Sequence, residues 1–139
     1  MNETIKSIID IIKSCDSLQL CTIRMDGYPE TRHLMNGLNQ NIDSIDLHFL
    51  TIKDSPKFKQ LEKDNKCCLY YFNPDTRYAV RLFGQMESID DIKEKEKYWQ
   101  DKYSRFGLNS ADDPQFALLH FIPKMYKFYV GDEMKTGLI

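Results

Sequence analysis

The sequence predicts a mainly β domain, a closed or nearly closed antiparallel barrel of six to seven strands with helices packed outside. Three observations predict it. Segments with alternating apolar and polar residues recur along the chain and outnumber those with a helical period. Turn signals such as Asp26-Gly27 and Asn73-Pro74-Asp75 separate them. The helical segments are too few and too unevenly placed to cover a doubly wound parallel sheet.

The elements follow in order. Ile5, Ile8, Ile9 and Ile12 fall at i, i+3, i+4 and i+7, the apolar stripe of a helix over residues 3–14. From Leu18 the period changes to two, and Asp26-Gly27 predicts a two-residue hairpin turn into a second strand over residues 28–35. A polar loop covers 36–44 and a third strand 45–51. Ser55 is a capping residue, and Pro56 opens a short helix at the position where its missing N–H costs nothing. Residues 67–72 read as a strand buried on one face. Residues 78–89 form a long strand in which Gly84 predicts a bulge or a close backbone approach. Ser88-x-x-Asp91 predicts a capped helix. Ile92, Trp99, Tyr103 and Phe106 share one face of it, and Glu94-Lys95-Glu96-Lys97 form a solvated one. Strands over 118–122 and 125–130 complete the sheet on either side of a bend at Pro123.

Composition limits the function. The 139 residues are 42% hydrophobic and 29% charged, an ordinary globular balance for one domain over 1–139. A net charge of −2 with dispersed Lys and Arg argues against nucleic-acid binding. No run of 18 apolar residues is present, so no membrane-spanning helix is expected, and the N-terminal residues lack the pattern of a secretory leader. Cys15, Cys21, Cys67 and Cys68 have neither disulfide-framework nor zinc-site spacing and read as reduced thiols of a cytoplasmic protein. His33, His48 and His120 have no metal-ligand spacing, so no metal is expected. No catalytic triad or paired carboxylates can be assigned by spacing.

The chemistry concentrates in residues 51–57, Thr-Ile-Lys-Asp-Ser-Pro-Lys. A strand ends at Thr51 and a helix begins at Ser55 or Pro56, leaving the first helical N–H groups without intrahelical acceptors. Those groups, the Thr51 and Ser55 hydroxyls and the Lys57 ammonium together suit a phosphate monoester. Alone, the segment reads more simply as a capped helix start with a solvated lysine. Arg32 on the second strand changes the balance, because a guanidinium grips a dianionic phosphate with two parallel bonds. If the second strand lies beside the third, Arg32 and Lys57 reach the same anion; a place on the wet face of the sheet reads equally well for Arg32.

These residues carry a resemblance. Asp26-Gly27-x-Pro29-x-x-Arg32, then Phe49-Leu50-Thr51-x-x-x-Ser55-x-Lys57, then Phe83-Gly84, then Pro123 before an aromatic strand, resemble the pyridoxamine 5′-phosphate oxidase-like FMN-binding split barrels, Greek-key in topology. The short bacterial proteins related to general stress protein 26 are the most similar subgroup. The resemblance implies a homodimer binding FMN at its interface. Arg32 and Lys57 would hold the phosphate with Thr51 and Ser55, and backbone at His33, Leu34, Met35, Phe49 and Leu50 would run beside the isoalloxazine ring. It also has departures. Pro56 stands where the oxidases have an Arg, Gly37 where they have a Lys, Tyr129 at a Trp, and Lys135 and Gly137 at an Arg and a His. Pyridoxamine phosphate oxidation itself is therefore not expected. The expectation is an FMN-dependent oxidoreductase acting on a small molecule, with NAD(P)H a candidate electron donor. The alternatives are a non-enzymatic flavin-binding or flavin-sensing stress protein, or the same barrel holding a deazaflavin or haem.

Overall fold

The isoleucine spacing forms the helix it predicts, α1 over Glu3–Ser14, in a computed structural model that describes residues 2–139. Asn2 caps it, its side-chain oxygen accepting from the Ile5 N–H at 2.7 Å, and Ile8, Ile9, Ile11 and Ile12 are buried. β1 (Ser17–Ile23) and β2 (Pro29–Met35) follow. Their turn has three residues rather than the expected two. The Arg24 N–H donates to the Tyr28 carbonyl, the Gly27 N–H donates to the Arg24 carbonyl, and Gly27 has φ +90°. A two-residue type I′ turn would need positive φ at Asp26 as well, whereas this loop asks it only of glycine.

The remaining elements are β3 (Leu47–Ile52), α2 (Pro56–Lys63), β4 (Lys66–Phe72), β5 (Ala79–Ile89), α3 (Ile92–Tyr98), β6 (Phe116–Val130) and β7 (Glu133–Leu138). All pairings are antiparallel, in the order β2-β1-β4-β5-β6-β3, with β7 added to β6. The sheet curls but is not closed by hydrogen bonds between its end strands, β2 and β3. Leu20, Leu47, Phe49, Leu69, Leu82 and Phe121 are among the fully buried side chains inside it.

Three readings are corrected. Residues 118–122 and 125–130 belong to one strand, because Pro123 faces Gly84 where the β5–β6 register shifts, so its missing N–H falls where the ladder is already broken. A Cβ at Gly84 would run into the Ile122 carbonyl oxygen, which is why the approach needs glycine. β7 was not expected, since its residues are mostly exposed and carry no apolar alternation. The charged helix ends at Tyr98 and is capped by Asp91, while Ser88 stays in β5. A 3-10 turn over Asp101–Phe106 replaces its second half. Ile92 and Phe106 are therefore exposed, whereas Trp99 and Tyr103 pack against Phe116. Lys95 is not solvated; it is 7% exposed, with its Nζ over the Phe116 ring.

Two asparagines tie the open edge of the sheet. Asn36, wholly buried just after β2, donates from Nδ2 to the carbonyls of Ile12 and Cys15 at 2.7 and 2.8 Å. Its Oδ1 accepts from the Tyr71 hydroxyl at 2.8 Å and from Asn39 Nδ2 at 3.1 Å. Asn39 in turn brackets the His48 backbone, donating to its carbonyl at 3.0 Å and accepting from its N–H at 2.8 Å. Side-chain amides thus join β2 to β3 where no ladder does. Asn36→Ala strands several buried partners, so it is expected to cost about 3–4 kcal/mol in denaturant unfolding, and Tyr71→Phe about 1–2 kcal/mol. A loss below about 1 kcal/mol for Asn36→Ala would show that the bridge does not hold the seam.

Candidate functional site

A cleft of about 540 Å³ opens beside that seam. β2 contributes His33, Leu34 and Met35, the end of β3 contributes Leu50, Thr51 and Ile52, and α2 contributes Lys57. The opposite wall is the segment after α3, with Gln100, Lys102, Tyr103, Arg105 and Phe106. Three cations and one carboxylate, Asp16, line it, so the cleft favours an anionic guest.

Local structure explains the placement of Lys57. Ser55 caps α2, accepting from the Phe58 N–H at 3.4 Å and donating to the Ile52 carbonyl at 2.6 Å. Its oxygen lies 3.5 Å from the Thr51 hydroxyl, so the strand end and the helix start form one polar corner. Pro56 fixes the first turn and Phe58 and Leu61 bury the helix, directing half-buried Lys57 to the cleft. Among the described residues no carboxylate lies within ion-pair distance of its ammonium. Burial, and then the nearby Arg32 guanidinium, hold its pKa below the ordinary lysine range.

Arg32 is placed differently from a free phosphate ligand. It donates to the Leu20 carbonyl at 3.2 Å, to the Thr22 hydroxyl at 2.6 Å, and to Glu30 and Gln60 at 3.2 Å each. A hydrogen bond from Gln60, followed by the Arg32 charge, holds the Glu30 carboxyl below its usual range. Arg32 therefore stands beside Lys57, on the flank of the cleft rather than in its lining. Phe49 is fully buried and outside the cleft lining, and Ser55 lies behind Thr51. The structure thus brings His33, Leu34, Met35, Leu50, Thr51 and Lys57 to one cleft, with Arg32, Phe49 and Ser55 behind it.

Sequence reasoning missed the opposite wall. Lys102 and Arg105 read as part of a long charged helix, and only the break at Trp99 turns them to the cleft. It also missed a second constellation. His48 and His120 lie directly opposite on β3 and β6, their rings stacked, with Asp46 bonded to His120. Residues 72 positions apart in sequence show no ligand spacing, and only strand register reveals the pair. Burial, reinforced by His120, keeps the His48 imidazole below its ordinary pKa and so neutral.

Cys67 and Cys68 are poor nucleophiles. All four cysteines are free, and burial pushes Cys67 up to about 12 and Cys68 up to about 11. The C-terminal departures also have a structural reason. A Cβ at Gly137 would lie 2.6 Å from Tyr126 Cζ, so a histidine there would require the Tyr126 ring to move. Tyr129 accepts a hydrogen bond from Arg81 at 2.7 Å.

Comparison with known proteins fits this architecture. A pyridoxine/pyridoxamine 5′-phosphate oxidase of Christiangramia forsetii is 25% identical over 102 residues, which cover 73% of this chain and 46% of that protein. The chain thus spans about half the length of the curated relatives it matches. Among solved structures, a protein related to general stress protein 26 from Clostridium acetobutylicum superposes with a TM-score of 0.83 at 23% identity, covering 100% of this chain and 97% of the other. An FMN-binding protein related to pyridoxamine 5′-phosphate oxidase, from Nostoc punctiforme, gives 0.74 at 19% identity, with coverage of 100% and 97%. The fold is also shared by a haem-binding protein of Mycobacterium smegmatis, with a TM-score of 0.75 at 11% identity over 99% of this chain and 59% of that one. An F420 reductase gives 0.66 at 17% identity, with coverage of 91% and 98%. The family model described as pyridoxamine 5′-phosphate oxidase like matches residues 3–137, and the chain belongs to that family.

Proposed function

We propose that the chain binds FMN in the cleft and acts as a flavin-dependent oxidoreductase on a small molecule, as a cytoplasmic homodimer. The observation that carries this reading is Lys57, a half-buried cation without a carboxylate partner among the described residues, pushed toward deprotonation by burial and then by Arg32, and set against Thr51 and the start of α2. Such a group costs the fold stability unless an anion compensates it. A phosphate monoester supplies that anion, which is the fit FMN requires.

In this reading Lys57 and the Thr51 hydroxyl hold the phosphate, with Ser55 fixing the corner and Arg32 supporting it from the flank. Backbone groups at His33, Leu34, Met35, Phe49 and Leu50 line the ring edge. The wall of Tyr103 and Phe106 excludes water from the other side. When bound, FMN supplies the hydride or electron transfer chemistry, and the chain supplies position, electrostatics and solvent exclusion. NADH or NADPH is the proposed electron donor. The dimer is supported by the outer sheet face, where Met35, Phe72, Met125, Met134 and Leu138 are all exposed. A second reading, haem, has one observation of its own: His33 lines the cleft and an imidazole is a common axial ligand.

The visible spectrum of protein supplied with FMN or haemin separates these readings. Flavin bands that red-shift on binding support FMN, and a Soret band from tightly held haem overturns it. Replacing Lys57 with Ala is expected to weaken FMN about 10–100-fold while leaving riboflavin, which lacks the phosphate, unchanged. The Arg32→Ala/Lys57→Ala double variant is expected to lose FMN retention without unfolding the barrel, although its unfolding midpoint shifts because Thr22 and Gln60 lose a partner. Equal losses for FMN and riboflavin would remove the phosphate assignment.

A pH series gives an independent check. Because Lys57 has a lowered pKa in the ligand-free fold, its charge is lost, as pH rises, earlier than for an ordinary lysine. FMN affinity is therefore expected to fall relative to riboflavin affinity on the alkaline side, below the ordinary lysine range. Parallel profiles for the two flavins would mean that Lys57 does not bear on the phosphate. Anaerobic addition of NADH or NADPH to the loaded protein tests the enzymatic half: bleaching supports an oxidoreductase, and flavin that stays oxidised with both supports a binding protein.

A further inference from the structure

Outside the cleft, the cross-strand histidine pair is the most unusual grouping of chemistry in the molecule. His48 of β3 and His120 of β6 are direct partners in the ladder, so their side chains leave the sheet on the same face. The rings stack with centroids 4.6 Å apart and planes 16° from parallel. Asp46 precedes His48 by two residues, which returns it to that face, and its carboxylate oxygen lies 2.7 Å from His120 Nε2. One ligand atom from each of the three residues lies within 4.8 Å of the others.

We propose that Asp46, His48 and His120 form a binding site for one divalent transition cation of the zinc class. The donor set decides the class. Two imidazole nitrogens and one carboxylate suit Zn2+ and its neighbours, whereas Ca2+ and Mg2+ call for oxygen ligands throughout. Three protein ligands leave a fourth position for water, the open form of a zinc site rather than a closed structural one. With bonds of about 2.0–2.1 Å, tetrahedral donors stand about 3.3 Å apart, so the three must close by little more than a side-chain rotation.

The surroundings determine which ligands are fixed and which one moves. His48 is held twice, by Asn39 on its backbone and by Tyr98 of α3, which stacks on the outer side of its ring at 4.4 Å. Its burial at 7% exposure protects the site from competing water. Asp46 is the mobile member, with 59% of its side chain exposed just before β3 begins, and it closes onto a cation by giving up its bond to His120. Glu94 of α3 adds a second negative charge nearby, although it is paired with Lys97 at 2.6 Å. The site stands apart from the cleft. Leu50, two residues beyond His48, reaches the cleft wall, and Tyr98 leads into the segment that forms its other wall. Bound metal therefore braces β3 against β6.

The test uses tag-free protein stripped with a chelator and titrated with Zn2+ against a chromophoric competitor. One Zn2+ per chain is expected, with a rise in the unfolding midpoint. Asp46→Asn and His120→Ala are expected to weaken binding about 100-fold or more, while Cys68→Ser leaves it unchanged. Zn2+ binding that is absent in the wild type, that survives both ligand variants, or that disappears with Cys68→Ser overturns the site. Should a histidine variant fail to fold, Asp46→Asn changes only an exposed side chain. The wild-type Co2+ complex also needs no variant. Strong visible bands without sulfur charge transfer in the near ultraviolet are expected, and a thiolate band or a weak octahedral spectrum counts against it.

Discussion

The structure depends on a pair of side-chain amides. The end strands of the sheet, β2 and β3, have no ladder between them, and Asn36 and Asn39 supply the connection that a closed barrel would make with backbone. Asn36 uses both amide hydrogens and its carbonyl oxygen on partners drawn from α1, β4 and its own loop. In a buried setting such bonds reinforce one another, and each lost partner leaves an unsatisfied group whose desolvation exceeds the bond's net contribution. One residue therefore sets the separation of three elements. The same loop supplies Gly37, Leu38 and Gln40 to the cleft, so closing the sheet and shaping the site are a single act of folding.

Lys57 and Arg32 are neighbouring cations that the fold treats in opposite ways. Arg32 is neutralised by Glu30 and absorbed into hydrogen bonds with Thr22 and Gln60, so it costs the fold little. Lys57 has no such relief. It is half-buried, it faces a like charge, and it sits by a helix start that is itself partly positive. A stable fold that carries an uncompensated cation gives up stability there, and function is the usual reason for that concession. The flanking position of Arg32 makes it a rigid neighbour that sharpens the demand for an anion at Lys57.

The readable part of the fold is the part governed by local rules. The isoleucine stripe, the Ser55-Pro56 helix start, the Asn73 turn and the Gly84 bulge each have one physical cause within a few residues, and all four appear where expected. The misreadings share a different cause. The stripe from Ile92 to Phe106 has helical period, but tertiary packing of Trp99 and Tyr103 on Phe116 breaks it after Tyr98. β7 follows no pattern because it adds to β6 through backbone bonds while most of its residues stay exposed. The polar corner of Thr51 and Ser55 was legible because residues 51–57 are contiguous. The far wall of the cleft and the histidine pair were not, because register and packing assemble them from distant segments.

The two walls of the cleft are built to different mechanical standards. One consists of β2, β3 and the start of α2, held by ladders, a helix cap and the asparagine bridge. The other is a single 3-10 turn, anchored through Trp99 and Tyr103 and ended by Gly107 at φ +85°. Short 3-10 segments have poorer hydrogen-bond geometry than α-helices, and local opening draws on such weakly bonded stretches first. If the ligand is the proposed flavin phosphate, a fixed wall suits its invariant part, the phosphate. An adjustable wall carrying Lys102, Arg105 and Phe106 suits the part that varies. On the proposed reading, this division places discrimination between ligands in the Gln100–Phe106 wall and their shared affinity at Lys57.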